Sequence, residues 1–333
     1  MTRRLGTYVT LLAVATTICL TGTIRAEDGD GGYAGAFLQV PVGARPTAMG
    51  GAYLGISDDG AGVLYNPAGI AVIRKPVFAT SYRAMKLDRQ LGYVTVLFPA
   101  KGYSTVGVHW LYAGVGDVEG RDSDGALTGN VLSMNNHVFS LLFAKRFVPL
   151  FSAGLKASYQ HSQFAEMTAY CVSFDLGLMF YLDQLVNRER RDLMPVQDIR
   201  AGLVIKHMEA KYIWNNEDYL LRYTEGNQFG VEQEDKVPTV IGLGGSARFF
   251  ERKLLVAADM RKNAEQDLAF HGGLEYTLIP EAALRGGYSD GRFTAGAGYL
   301  FKMGRHTLAV DYAFSTDRAD EGSEHIFSFD LLW

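Results

Sequence analysis

The sequence predicts an all-β protein, a transmembrane antiparallel β-barrel of about fourteen strands with an N-terminal plug in its lumen. Three observations carry that expectation. Apolar and polar residues alternate with period two through most of the chain after residue 75, no apolar run of 18 or more residues follows the first 26, and the chain stops on an alternating segment ending in an aromatic residue, Trp333. Alternation asks for strands, and the missing apolar run excludes a transmembrane helix. A long one-sided sheet then needs an apolar surrounding for its oily face.

The first element, residues 1–26, reads as a secretory signal. Arg3 and Arg4 are its basic start, and Tyr8 to Leu20 is an apolar stretch too short to span a bilayer as a helix. Cleavage is expected after Ala26. Ile24, three residues before the cut, is only acceptable, so sites from Gly22 onward stay open, and an N-terminal membrane anchor is the alternative. Cys19 lacks the small preceding residue that a lipoprotein site wants. Removing the segment takes three of the 32 basic side chains and none of the 36 acidic ones, so the net charge moves from −4 to −7. Such a chain does not court nucleic acid. Cys19 leaves with the signal, so Cys171 has no disulfide companion and a closed sheet must hold the chain together. With 38 Gly against 9 Pro, the composition suits tight turns and close-packed strands.

The last element, residues 75–333, reads as the barrel. From Phe151 to Gln160 the odd positions Phe151, Ala153, Leu155, Ala157 and Tyr159 are apolar, and the even ones are Ser152, Gly154, Lys156, Ser158 and Gln160. The stretch Ala169–Leu182 repeats the pattern, as do Phe293–Phe301 and His306–Phe314. On this basis strands are expected near 77–86, 90–99, 103–113, 136–147, 150–161, 169–182, 198–208, 237–250, 253–262, 267–278, 281–288, 292–302, 304–315 and 325–333. These are lengths that a tilted membrane strand needs. Connections are short at Pro99–Gly102 and Lys302–Gly304 and long at Gly114–Asn130, Asp183–Gln197 and Glu209–Lys236. Short turns are expected to face the periplasm and most long ones the cell exterior. A soluble β-sandwich would alternate too. Against it stand aromatic residues at the ends of the apolar faces, such as Trp110, Tyr112, Phe143, Phe147, Tyr299 and Phe301. The chain end, with Phe327, Phe329, Leu331 and Trp333 alternating, resembles the signal read by the barrel-assembly machinery. The expected surroundings are therefore outer-membrane lipid and lipopolysaccharide.

Between these elements, residues 27–74 are too rich in turn formers to be a membrane strand: Gly43-Ala44-Arg45-Pro46, Gly50-Gly51, Ser57-Asp58-Asp59-Gly60 and Asn66-Pro67-Ala68-Gly69. Yet Phe37, Val40, Met49, Tyr53, Leu54, Val63, Leu64 and Tyr65 supply apolar surface that must pack somewhere, and the lumen is the available place. The run from Val42 through Ala48-Met49-Gly50-Gly51-Ala52 and Asp58-Asp59 to Tyr65-Asn66-Pro67-Ala68-Gly69 resembles the N-terminal hatch of FadL-like outer-membrane transporters, most closely the PorV/PorQ branch. Gly273-Leu274-Glu275-Tyr276, Ala283–Tyr288 and Val310–Phe314 are similar to that branch's closing strands. Residues 100–265 rest on periodicity alone.

The resemblance implies a fourteen-stranded barrel plugged by the hatch, through which small hydrophobic molecules pass or in which they bind. For PorV-like members it implies instead a partner of type IX secretion proteins that holds cargo at the cell surface. Carried over to this chain, it points to Asn66, Pro67 and Ala68 as the hatch element, with Gly50, Gly51 and Asp59 as supporting turns. Pro67 keeps Asn66 extended, and the Asn66 amide can bond backbone groups that an irregular plug leaves unpaired. A plain turn before the first strand is the alternative.

Chemistry of other kinds is thinly represented. Gly287-Tyr288-Ser289-Asp290-Gly291 has the spacing of a hydrolase nucleophile elbow, but the alternating stretch after it makes a hairpin turn the better reading. His161 and Ser162, as strand neighbours, point to opposite faces and cannot pair. The seven His are scattered, and Asp117, Glu119, Asp122 and Asp124 lack the order of a calcium loop. No enzyme activity, metal or cofactor is expected. Lys156, Asp175, Arg248, Asp259, Arg261, Glu275, Arg285 and Asp311 fall opposite oily faces and are expected to point into the lumen. They serve there as salt bridges holding the plug, or as a polar path around a moving one.

Overall fold

The computed structural model describes residues 33–121, 124–164, 167–186, 194–215, 233–289, 291–316 and 322–333. The expected signal peptide, residues 1–26, and the first six residues of the 27–74 segment lie outside them. The described residues hold sixteen strands. In chain order they are β1 (Val77–Ala84), β2 (Arg89–Ala100), β3 (Ser104–Arg121), β4 (Leu127–Val148), β5 (Phe151–Phe164), β6 (Met167–Tyr181), β7 (Val196–Met208) and β8 (Lys211–Asn215). There follow β9 (Gln233–Lys236), β10 (Val240–Phe249), β11 (Leu254–Asn263), β12 (Leu268–Ile279), β13 (Ala282–Ser289), β14 (Arg292–Met303), β15 (His306–Thr316) and β16 (Ser323–Leu332).

Fourteen of them form a closed antiparallel ring. Neighbours pair in sequence from β1 to β7, β7 pairs with β10, and β10 to β16 continue in order. The ring shuts where Val77 meets Leu332 and Ala84 meets His325 across β1 and β16. Closure removes every free edge in the ring. Each of the fourteen strands expected from alternation is present within a few residues, apart from two that run further. β3 and β4 continue to Arg121 and back from Leu127, pairing Val118 with Leu132 and Glu119 with Val131, where the sequence suggests a loop over 114–130. The remaining pair, β8 and β9, is a hairpin inside the expected 209–236 connection, attached to β6 through Thr168–Tyr170. Neither extension alternates strongly. A strand that has left the hydrocarbon has no lipid on either face, so lipid no longer selects an oily side.

Strand parity places the end of β6 and the start of β7, which bound one of the three long connections, at the same end as the short turns around Pro149, Glu281 and Gly304. The alternation itself holds apart from the irregularities of β7, where Asp198 and His207 have positive φ and the register shifts. In β6, Tyr170, Val172, Phe174 and Leu176 are 41–53% exposed on the outer surface, whereas Cys171, Ser173 and Asp175 are at most 2% exposed within. His161 and Ser162 fall on opposite faces, Ser162 inward.

Residues 33–74 pack on the inward faces. They contain a short α-helix, α1 (Ala44–Ala48), and three 3-10 helices, the last being Pro67–Val72. Met49, Tyr53, Leu54, Ile56 and Tyr65 cluster with Val204, Leu255 and Ala257, and Val63, Ile70 and Ala71 pack with Leu91, Leu97, Leu111 and Leu142. The apolar side chains of the turn-rich stretch thus find partners on strands from both halves of the ring.

Candidate functional site

The site is the seam between residues 33–74 and the wall, and its geometry begins with glycine. Inward positions of seven strands are Gly154, Gly177, Gly202, Gly244, Gly273, Gly287 and Gly296, and at each a Cβ would overlap atoms of residues 48–68. At Gly273 the overlap is with the Met49 backbone, at Gly287 with Met49 and Gly50, at Gly154 with Pro67 and Ala68. Main chain therefore lies directly against main chain, which only glycine walls permit. Gly50 and Gly51, at φ 62° and 77°, make the reversal after α1 that side-chain-bearing residues resist.

Asn66 is wholly buried, extended, and precedes Pro67 at the first position of its 3-10 helix. Its Oδ1 accepts from the Ala68 N–H at 3.0 Å, and its Nδ2 donates to the Leu54 carbonyl at 3.1 Å and the Leu178 carbonyl of β6 at 3.0 Å. One side chain thus caps its own helix, ties two turns of the segment together and fastens both to the wall. Asp59 accepts from the Gly62 N–H at 3.0 Å, from Arg45 at 3.1 Å, and from the Tyr53 hydroxyl.

Arg45 is the centre of the charge network. It donates to Asp58 and Tyr53, both at 2.8 Å, and to both oxygens of Glu275 on β12, at 2.8 and 3.2 Å. Burial raises the Asp58 carboxyl, but the guanidinium groups of Arg45 and Arg200 outweigh it and hold that carboxyl below its ordinary range. Asp59 is raised, by burial first and by the adjacent Asp58 charge, with Arg45 opposing. The two neighbours are thus biased in opposite directions, and Arg45 serves both.

The eight expected lumenal ionisable residues are all on the inward register, where they form three groups. Lys156 and Asp175 pair across β5 and β6 at 2.7 Å, and Asp175 also accepts the His207 N–H at 2.8 Å. Asp259 accepts the N–H groups of Tyr53 and Leu54 at 2.7 and 2.9 Å and pairs with Arg261, which in turn donates to the Gly51 carbonyl. Glu275 takes Arg285 at 2.8 Å, Arg285 takes Asp311 at 2.6 Å, and Arg248 stands 3.8 Å from both Glu275 and Asp198. Two of the three groups reach into residues 33–74.

Other wall contacts have no sequence signal. His271 is bonded to the Gly50 carbonyl at 3.0 Å and to Ser289 Oγ at 2.8 Å, both through Nδ1. Ser289 does end β13 before a turn in which Gly291 has φ 80°, as the hairpin reading expects. No carboxylate pairs with His271 among the described residues, and its Nδ1 is already shared with a carbonyl, so this pair lacks the base and the orienting acid of a nucleophile site. Of the acidic residues near 117–124, Asp122 and the Asp117 side chain lie outside what is described. Phe327, Phe329 and Trp333 face outward at 38–48% exposure, with Leu331 half-buried beside them.

A closed fourteen-stranded barrel with an apolar outer belt and a polar interior defines a transmembrane β-barrel of the bacterial outer membrane. Its fold is similar to that of the Pseudomonas putida toluene transporter TodX, at 13% identity over 87% of this chain and 96% of that one, with a TM-score of 0.57. It is also similar to the Ralstonia pickettii toluene transporter TbuX (12% identity, 87% and 97% covered, TM-score 0.55) and to the monoaromatic hydrocarbon channel CymD (11%, 87% and 96%, 0.57). At such identities the likeness is one of fold. No family model and no curated protein matches the sequence. The resemblance to the PorV/PorQ branch rests on sequence motifs alone.

Proposed function

We propose that this barrel is a hatch-gated passage for small hydrophobic molecules across the outer membrane, with residues 33–74 as the hatch. The observation that carries the reading is the fold shared with hydrocarbon channels along almost the whole of both chains. Interior space supports the gating. The lumenal cavity beside residues 38–42 is about 50 Å³, whereas ligand pockets run to several hundred Å³, on the order of 300–1,000. Passage therefore requires residues 33–74 to shift. Asn66, Pro67 and Ala68, seated against Gly154 and Gly177, are the element that must release, with Gly50, Gly51 and Asp59 shaping the turns around it. The lumenal charges serve as its wall-side fastenings. The outward residues Phe327, Phe329, Leu331 and Trp333 are the assembly signal. A secretion-partner role finds no support in the fold comparison.

The test is uptake of labelled toluene, an alkane and a fatty acid by cells with and without the protein, and with Asn66→Ala. Removing the Asn66 amide leaves buried backbone groups unpaired, at about 1–3 kcal/mol each. The substituted barrel is expected to remain heat-modifiable on gels while uptake changes severalfold. Equal uptake of every compound with and without the protein sinks the passage reading. Unaltered uptake by the Asn66→Ala protein makes the hatch a passive plug.

A further inference from the structure

At the barrel end that carries the short turns, charge is unevenly spread around the rim. From β14 round to β5, by way of β16 and β1, the turns and strand ends hold Arg74, Lys75, Lys101, Lys145, Lys302 and Arg305, all exposed or half-buried. Lys302 is neutralised by Glu281, in the turn before β13, at 2.6 Å. Asp330 of β16 is turned inward, where it accepts the Gly60 N–H at 3.2 Å. Arg74, Lys75, Lys101, Lys145 and Arg305 form no ion pair among the described residues. Arg146 is set apart, since its guanidinium lies 3.9 Å from the ring centre of the inward, buried Tyr181.

The five unpaired cations lie on one connected arc. Lys75 Nζ donates to the Arg305 carbonyl at 3.0 Å, and the Arg74 guanidinium stands 4.9 Å from the ring centre of Tyr103, in the turn that also holds Lys101. The Tyr103 carbonyl accepts the N–H of Arg146, next to Lys145, at 2.9 Å. Aromatic neighbours set the depth of the arc. Phe98, Tyr103, Phe147, Phe301 and Trp333 are exposed on the outer surface at this end, and Lys145 Nζ stands 5.5 Å from the Phe147 ring centre. Outward aromatics at a barrel rim mark the boundary between hydrocarbon and headgroups, so cations beside them stand at the level of lipid phosphates. The opposite end mixes its signs, with Asp88 between Lys86 and Arg89 in the β1–β2 turn.

We propose that this arc binds the headgroups of anionic phospholipids, so that the barrel gathers lipid of net negative charge along its rim from β14 round to β5. Charge sets the class of ligand, because five cations share a rim on which the remaining acids are already bonded. Position sets it as phospholipid, because short turns face the periplasmic leaflet and not the lipopolysaccharide. The setting favours a lipid over a soluble acidic partner, since Arg74 and Lys145 are held against outward rings that meet the bilayer.

The test is the full chain refolded into phosphatidylcholine vesicles with a trace of spin-labelled lipid, read as the share of label immobilised at the protein. Labelled phosphatidylglycerol is expected to associate severalfold more than labelled phosphatidylcholine, since each Lys or Arg near a headgroup contributes up to about fivefold. The excess should shrink as salt rises. Lys75→Gln, Lys101→Gln and Arg305→Gln together should abolish it. Lys86→Gln, Lys211→Gln and Lys262→Gln at the opposite rim make the same change in net charge and should leave it intact. All six side chains are exposed, so both proteins are expected to remain heat-modifiable. Equal association of the two labels with the parent overturns the proposal, as does an excess that survives the first triple or falls equally in the second. Displacement of the label by lipid A but not by unlabelled phosphatidylglycerol overturns the choice of ligand. Should a triple not refold, the parent's preference and its salt dependence decide. None of these readings depends on what the barrel transports.

Discussion

Leu176 and Asp175 are neighbours in β6 that meet different media, Leu176 at 47% exposure on the outer belt and Asp175 at 1% in the lumen. Leu176→Arg puts a charge in lipid near mid-strand and is expected to cost about 2–4 kcal/mol. Alternation alone suggests that an Arg at Asp175 is tolerated, since that face is polar. The contacts reverse this expectation. Asp175 holds Lys156 at 2.7 Å and the His207 N–H at 2.8 Å, so even Asp175→Asn strands a buried ammonium, at about 3–5 kcal/mol. Denaturant titration of the refolded proteins, read by heat-modifiable migration, is expected to rank both variants well below the parent. A Asp175→Asn protein as stable as the parent would mean that Lys156 finds water instead. Arg45 gives the same lesson in reverse. In the sequence it sits in a Gly-Ala-Arg-Pro turn, and its partner Glu275 lies 230 residues away.

At the scale of elements, the wall strands carry glycine for a reason that periodicity does not contain. Gly272 and Gly273 are adjacent in β12, yet a Cβ on Gly272 meets nothing within 4 Å, whereas one on Gly273 overlaps the Met49 backbone. Gly273→Val is therefore expected to unseat residues 48–51 at about 1–3 kcal/mol, the usual cost of overpacking, while Gly272→Val is tolerated on the lipid face. Amide exchange over residues 45–70 is the measurement. It should quicken in the Gly273 variant only, and equal protection in both would mean that the segment is not seated on a glycine wall. The strand assignments themselves were legible because each lipid-crossing strand must be apolar on one side. The β8–β9 hairpin and the far ends of β3 and β4 were not, because beyond the hydrocarbon no lipid imposes an apolar face, and the hairpin is seated instead by Tyr212, which packs with Ala169, Cys171 and Val237.

For the whole molecule, closure is the decisive event: β16 pairs with β15 on one side and with β1, some 250 residues earlier in the chain, on the other. Phe329 of β16 and Trp333 just after it are 43% and 38% exposed on the outer surface, and the Trp333 ring meets the edge of Phe98 at 6.3 Å between ring centres. Replacing both with Ser should thus leave a barrel that refolds in detergent, while the amount assembled in the outer membrane of cells falls severalfold. Refolding lost along with assembly would assign these aromatics to stability rather than to recognition. By itself the sequence determined the approximate number of barrel strands, the direction each face points and the presence of an unusual segment before the first strand. These are local consequences of chain geometry and of lipid as a solvent, and a period of two records them. Only the tertiary structure decided which inward charges pair, which glycines face the N-terminal segment, and that Asn66 bonds the Leu178 carbonyl of the wall. Those outcomes depend on contacts between residues tens to hundreds of positions apart, and ring closure, not any local pattern, brings them together.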